Sequence, residues 1–260
     1  MREVVLYFSA LVLGLLVAFF TWIWHLRLKN AGVIDIAWGL NLALMACLYA
    51  VFADGFPLRK WLIAVMVSFT GLRLSWHIAR RTLGHVEEGR YAALRQDWGG
   101  SIDVKFLVFF LLQAVLASLL SLPYLIASLN TTERLSPTEI AAVLVFGIGF
   151  LGESLADAQL SAFKVDPANQ SKTCQRGFWN YSRHPNYFFE WLMWLSYWLY
   201  ACASPWGWCT IFAPALMLHF LVNVTGVKIT EEQCLRSRGE DYRHYQESTS
   251  AFIPWFKKHD

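Results

Sequence analysis

Hydrophobic positions along this chain gather into seven long runs, at about residues 4–25, 32–53, 58–79, 104–127, 138–158, 186–203 and 206–227, with polar residues concentrated between them. Each run approaches the roughly 20 residues that carry a helix across the hydrocarbon core of a bilayer. The pattern predicts an all-α integral membrane protein, a bundle of seven transmembrane helices. The first run is too long for the apolar core of a signal peptide and no small-residue cleavage site follows it, so it is read as a helix. Ser136-Pro137-Thr138-Glu139 marks the start of the fifth span, with Ser at the cap, Pro in the first turn and Glu closing a capping box.

The basic residues sort with this pattern. Seventeen of the 22 Lys and Arg residues fall in alternate connecting segments and the C-terminal tail, four fall on the other side, and Arg73 lies inside a span. The positive-inside rule then places the N-terminus outside and the C-terminus in the cytoplasm. A bacterial inner membrane or its equivalent is the expected location. The formal net charge of +3 hides this polarity.

Composition agrees with the membrane reading: 56% of the residues are hydrophobic and 16% charged, against about 25% charged in a soluble domain. No basic domain or reading motif supports a nucleic-acid partner. Cys47, Cys174, Cys202, Cys209 and Cys234 show no paired spacing, so reduced thiols and no metal site are expected. With no linker or internal repeat, residues 1–260 are read as a single membrane-embedded domain, expected to be monomeric and to have membrane lipids as neighbours. The longest cytoplasmic segments, about 80–103, 159–185 and 228–260, place a functional mouth on that face.

Ionisable groups inside spans are costly and therefore candidates for function, the alternative being snorkelling near helix ends. Arg73, His77, Arg80 and Arg81 share one face of the third span, running toward the cytoplasm. Glu153 and Asp157 are one turn apart near the end of the fifth; they either serve a site or pair with those arginines. Asp35 opens the second span, with Trp38, Asn41 and Leu42 continuing along it, and is either a functional acid or a helix cap. Arg183-His184-Pro185-Asn186 opens the sixth, with Glu190 one turn on; a helix N-terminus with Pro in its first turn is a seat for an anion.

The stretch from Lys172 to Glu190, KTCQRGFWNYSRHPNYFFE, resembles the C-terminal signature of the steroid 5α-reductase-like membrane reductases, and within them the bacterial DUF1295-type branch. Glu153-x-x-x-Asp157 upstream, and Glu231, Tyr242, Tyr245 and Phe252-Ile253-Pro254 downstream, extend the resemblance over about residues 140–258. It implies NADPH-dependent reduction of a carbon–carbon double bond conjugated to a carbonyl in a lipophilic, 3-oxo-Δ4-steroid-like substrate drawn from the bilayer. Carried over by position, it implies cofactor contacts from Arg80, Arg90, Glu153, Asp157, Lys164, Lys172, Arg183, His184, Asn186, Glu190 and Tyr245. Asp35 and His77 fall where the steroid enzymes keep a carbonyl-polarising Glu and Tyr, and are the implied catalytic pair; Trp38 and Asn41 are the neighbouring substrate contacts. The Gly that usually precedes the glutamate is Phe189 here, a change expected to alter packing near the nicotinamide.

An Arg-His-Pro-x-Tyr helix start also occurs in isoprenylcysteine and phospholipid methyltransferases, so an S-adenosylmethionine-dependent membrane methyltransferase is the alternative. A transporter would show broken midplane helices or inverted repeats, and the sequence gives neither. No Gly-x-Gly-x-x-Gly fingerprint is present, which excludes a Rossmann site.

Overall fold

A computed structural model describes residues 1–87, 89–170 and 172–257, of which the side chain of Arg90 is outside the described set. Among the described residues the chain is 79% helical and has no strand. Six segments are long and apolar enough to cross a membrane: Arg2–Leu28, Val33–Phe52, Pro57–Thr82, Ile102–Leu129, Pro137–Val165 and Gly207–Arg238. The helices are α1 (Arg2–Leu28), α2 (Val33–Phe52), α3 (Pro57–Thr82), α4 (Gly89–Trp98), α5 (Ile102–Leu120), α6 (Leu122–Leu129), α7 (Pro137–Val165), α8 (Pro185–Ala201), α9 (Phe212–His219), α10 (Val227–Arg238) and α11 (Glu240–Ser248). The expected sixth span is α8, which at 17 residues sits at the lower limit of about 17 for a crossing.

The chain divides into two compact units, one of residues 1–136 with 201–210, the other of residues 137–200 with 211–260. In the first, α2 and α3 form an antiparallel hairpin whose backbones nearly touch. A Cβ added to Gly39 would lie 2.4 Å from the Gly71 carbonyl oxygen, and one added to Gly71 would lie 2.3 Å from that of Gly39. Small residues at a helix crossing allow this approach in place of side-chain interdigitation. Ser75 Oγ donates to Ile36 O at 2.7 Å and so keeps the register. Helix α5 packs on α1 and α2 through Ala18, Ala31, Ile34, Ala37, Phe106, Phe110 and Ala114, and Tyr91 of α4 closes this core.

The expected fourth span is not one continuous helix. It breaks at Ser121 into α5 and α6, because Pro123 cannot donate a helical hydrogen bond; Tyr49 and Ser121 join hydroxyls at 2.9 Å beside the break. Arg59, assigned from the sequence to the outer charges, is 1% exposed. Its guanidinium donates to the carbonyls of Asn130, at 2.9 Å, and Thr132, at 2.7 Å, and so carries the loop after α6.

In the second unit, α7 begins at Pro137 as the capping box predicts, and runs two turns past its expected end. The expected seventh span is interrupted: α9 passes into a π turn, Phe220–Val224, and the chain then bends at Gly226 before α10. A Cβ there would lie 2.1 Å from Leu221 O, so the bend needs glycine. Beyond it α10 and α11 are short polar helices that the hydropathy pattern does not announce.

Candidate functional site

The α7–α8 crossing is built on absent side chains. A Cβ on Gly149 would lie 2.8 Å from Met193 Cγ and 2.9 Å from Phe189 O; one on Gly152 would lie 2.4–2.6 Å from three ring carbons of Phe189. Phe189, standing where the resemblance leads one to expect Gly, is thus received by the missing side chain of Gly152. Its ring is buried and meets Phe178 edge-on at 5.0 Å. Chain neighbours on either side of this contact are Glu153, which is buried, and Glu190, which is half-buried. One turn along α7, Asp157 Oδ1 accepts a long hydrogen bond from Asn186 Nδ2 at 3.4 Å. Asn186 Oδ1 is buried and has no hydrogen-bond partner among the described residues.

The start of α8 is held by the tail. Arg183 Nε donates to Glu231 Oε1 at 2.7 Å, and its Nη1 donates to Gln246 O at 2.9 Å and to Thr249 O. His184 Nε2 lies 3.3 Å from the same Glu231 oxygen, and Gln246 Nε2 donates to the other at 2.8 Å. Ser182 Oγ donates to Phe252 O at 2.8 Å. The Tyr245 hydroxyl donates to the carbonyls of Trp179 and Ser182; burial pushes this phenol well above its ordinary range, so it stays a donor. Arg183, His184 and Tyr245 therefore act here on their own chain, pinning the entry to α8. Glu231 is the hub of this clamp. It was visible in the sequence as part of the tail motif but not as the partner of Arg183, 48 residues away.

The cations expected for a phosphate lie farther out. Lys164 is exposed in the last turn of α7 and Lys172 in the loop that follows. Lys164 is seven residues beyond Asp157, about 10 Å along the helix axis. Cys174, in the same loop, is a free thiol whose pKa is raised by burial, which keeps it unreactive.

In the first unit, α2 has Gly32 at its cap, so Asp35 is the third helical residue and not the cap itself. Tyr91 donates its hydroxyl proton to Asp35 Oδ1 at 2.9 Å, a partner with no signal in the sequence. His77 is exposed and lies two residues from Ser75, about 200° around α3, so it points away from the α2-facing side. The structure thus gives Asp35 a donor in the Tyr91 hydroxyl. Arg80 is exposed in the last turn of α3. The expected contact from Arg90 falls on a side chain outside the described residues. Trp38 and Asn41 do share a cavity, with Ala18, Phe110 and Gln113 between α1, α2 and α5, but its volume of about 10 Å³ is room for about one water. Nearby, Glu87 accepts a bidentate pair from Arg95, at 2.6 and 3.1 Å, and the Ala31 N–H at 2.6 Å, which seals α4 onto the core.

Among known proteins the chain is similar to the uncharacterized protein C594.04c of Schizosaccharomyces pombe, at 26% identity over 94% of this chain and 79% of that relative. No solved structure matches it. A family described as a protein of unknown function, DUF1295, matches residues 21–249, most of the chain, and the protein belongs to that family.

Proposed function

We propose that the protein is an NADPH-dependent membrane reductase that saturates a carbon–carbon double bond conjugated to a carbonyl in a lipophilic, steroid-like substrate. The observation that carries this reading is the polar set Glu153, Asp157, Asn186 and Glu190, set on a glycine-packed pair of apolar helices within the segment that resembles the cofactor region of such reductases. An apolar helix pair has no need of four such groups, and ionisable residues at membrane depth mark function by default. The residues fit the cofactor. Asn186 Oδ1 can accept from a carboxamide N–H, and exposed Lys164 and Lys172 offer cations to phosphates. NADPH supplies the hydride when bound; the chain's own groups hold and orient it. Asp35, oriented by the Tyr91 hydroxyl, is the group assigned to hold a proton at the substrate's carbonyl oxygen.

In this reading α8 and the α9–π segment complete seven spans. The charge sorting supports an outside N-terminus and a site opening to the cytoplasm. The test is consumption of NADPH by purified protein against a panel of steroid, sterol and other lipophilic enones, with product mass raised by two hydrogens. Methyl transfer from S-adenosylmethionine to a lipid, with no NADPH consumed, would replace this reading by the methyltransferase.

A further inference from the structure

The end of the second unit carries a fixed aromatic patch that neither the fold nor the proposed reaction uses. Trp255 is 68% and Phe256 76% exposed, and Ile253 and Tyr181 are exposed beside them. These are not loose ends. The Trp255 N–H donates to Tyr181 O at 2.9 Å, Lys257 Nζ donates to Gln175 Oε1 at 2.8 Å, and the Tyr181 and Phe256 rings meet edge-on at 6.2 Å. The Tyr181 loop is itself anchored, through Phe178 N–H to Gln159 Oε1 of α7 at 2.9 Å and through Arg183 N–H to Ser250 O at 2.8 Å. A rigid backbone therefore presents adjacent large apolar side chains outward.

Two facts identify the occupant. The first is depth: Tyr181 lies four residues before the first residue of α8 and its loop is tied to Gln159, just past the apolar run of α7, so the patch lies where the apolar runs of both helices end. Amphipathic aromatic side chains at that level are the signature of a bilayer interface. The second is charge: Arg176 is exposed in the loop that Lys257 bonds, while Asp241, which also meets this loop, is turned to the Thr173 N–H at 2.7 Å. Cations beside interfacial aromatics match an anionic leaflet.

We infer that Tyr181, Ile253, Trp255 and Phe256 form an interfacial anchor that seats the tail in the membrane surface, with Arg176 and Lys257 drawing anionic lipid headgroups to it. The anchor rests on the membrane reading of α7 and α8 and is independent of the reductase assignment. Its consequence is that the tail, whose Glu231–Arg183 clamp sets the start of α8, is held by the bilayer as well as by the protein.

The test places an environment-sensitive fluorophore on Phe256→Cys in the whole 260-residue chain, in nanodiscs of phosphatidylcholine with or without phosphatidylserine. Because Phe256 is exposed, thermal unfolding should match the parent and show that the fold is intact. Lipids spin-labelled near the headgroup should quench the label more than lipids labelled deep in the chain, and phosphatidylserine should strengthen the effect. Arg176→Gln should lower the phosphatidylserine-driven gain in the inserted population about fivefold. A fluorophore on Arg236→Cys, exposed on polar α10, should stay unquenched. A Phe256 label that stays in water, one indifferent to phosphatidylserine, or one shielded only when two copies share a disc would each overturn the anchor, the last in favour of self-association.

Discussion

Replacing Gly152 by Ala tests whether α7 and α8 are in the register described. The new Cβ would lie 2.4, 2.5 and 2.6 Å from Cδ1, Cε1 and Cγ of Phe189, about 1 Å inside the separation of about 3.5 Å that two carbons prefer. The ring has no easy retreat, since it is 7% exposed and Phe178 stands against it at 5.0 Å. Overpacking of this kind costs about 1–3 kcal/mol, partly offset by the roughly 1 kcal/mol by which Ala exceeds Gly in helix propensity. Phe189→Ala alone leaves a void and costs about 3–5 kcal/mol. In the double variant the new methyl group enters space the ring has vacated, so the loss should fall short of the sum of the single losses by about 1 kcal/mol or more. Detergent-solubilised protein, scanned by intrinsic fluorescence during heating, gives the three midpoints; at about 2–4 °C per kcal/mol the coupling is measurable. Strictly additive shifts would mean that the two residues do not touch and that the crossing is wrong.

Other substitutions separate holding from binding. Glu231→Gln removes the charge that Arg183 and His184 share and should lower stability by about 1–3 kcal/mol, exposing the tail after residue 239 to protease; unchanged proteolysis would deny the clamp. Lys164→Ala and Lys172→Ala should each weaken NADPH binding about tenfold or more, and NADH binding less if one of them meets the 2′-phosphate; NADPH binding unchanged by both substitutions together would remove these lysines from the site. Asp35→Asn keeps an acceptor for the Tyr91 hydroxyl and should leave stability within about 0.5 kcal/mol, while turnover of an enone falls about 10²–10³-fold; undiminished turnover would sink the proton-holding role.

What the sequence disclosed followed from periodicity and charge. The first three spans and the start of α7 are in place because a run of some 20 apolar residues has few other fates. Interruptions within apolar runs were harder to see. Pro123 signals the break after Ser121, but its neighbours are as hydrophobic as the rest; the π turn before Gly226 has no signal in hydropathy. Arg59 reads as a topology charge in one dimension and is in fact a buried donor to the loop at 130–132, some 70 residues away. The candidate site divides in the same way. Asn186 and Asp157 were legible as one-turn neighbours of other polar residues on apolar helices. That Phe189 would find its room in Gly152, and Asp35 its donor in Tyr91, depends on contacts between distant segments that no local pattern encodes.

The central claim is that this chain binds a reduced dinucleotide. Calorimetric titration of the purified, detergent-solubilised protein with NADPH, and separately with S-adenosylmethionine, tests it without any knowledge of the substrate. The reductase account predicts saturable NADPH binding at one site per chain, weakened by Asn186→Ala, and no heat from S-adenosylmethionine. Saturable binding of S-adenosylmethionine with none of NADPH would contradict it.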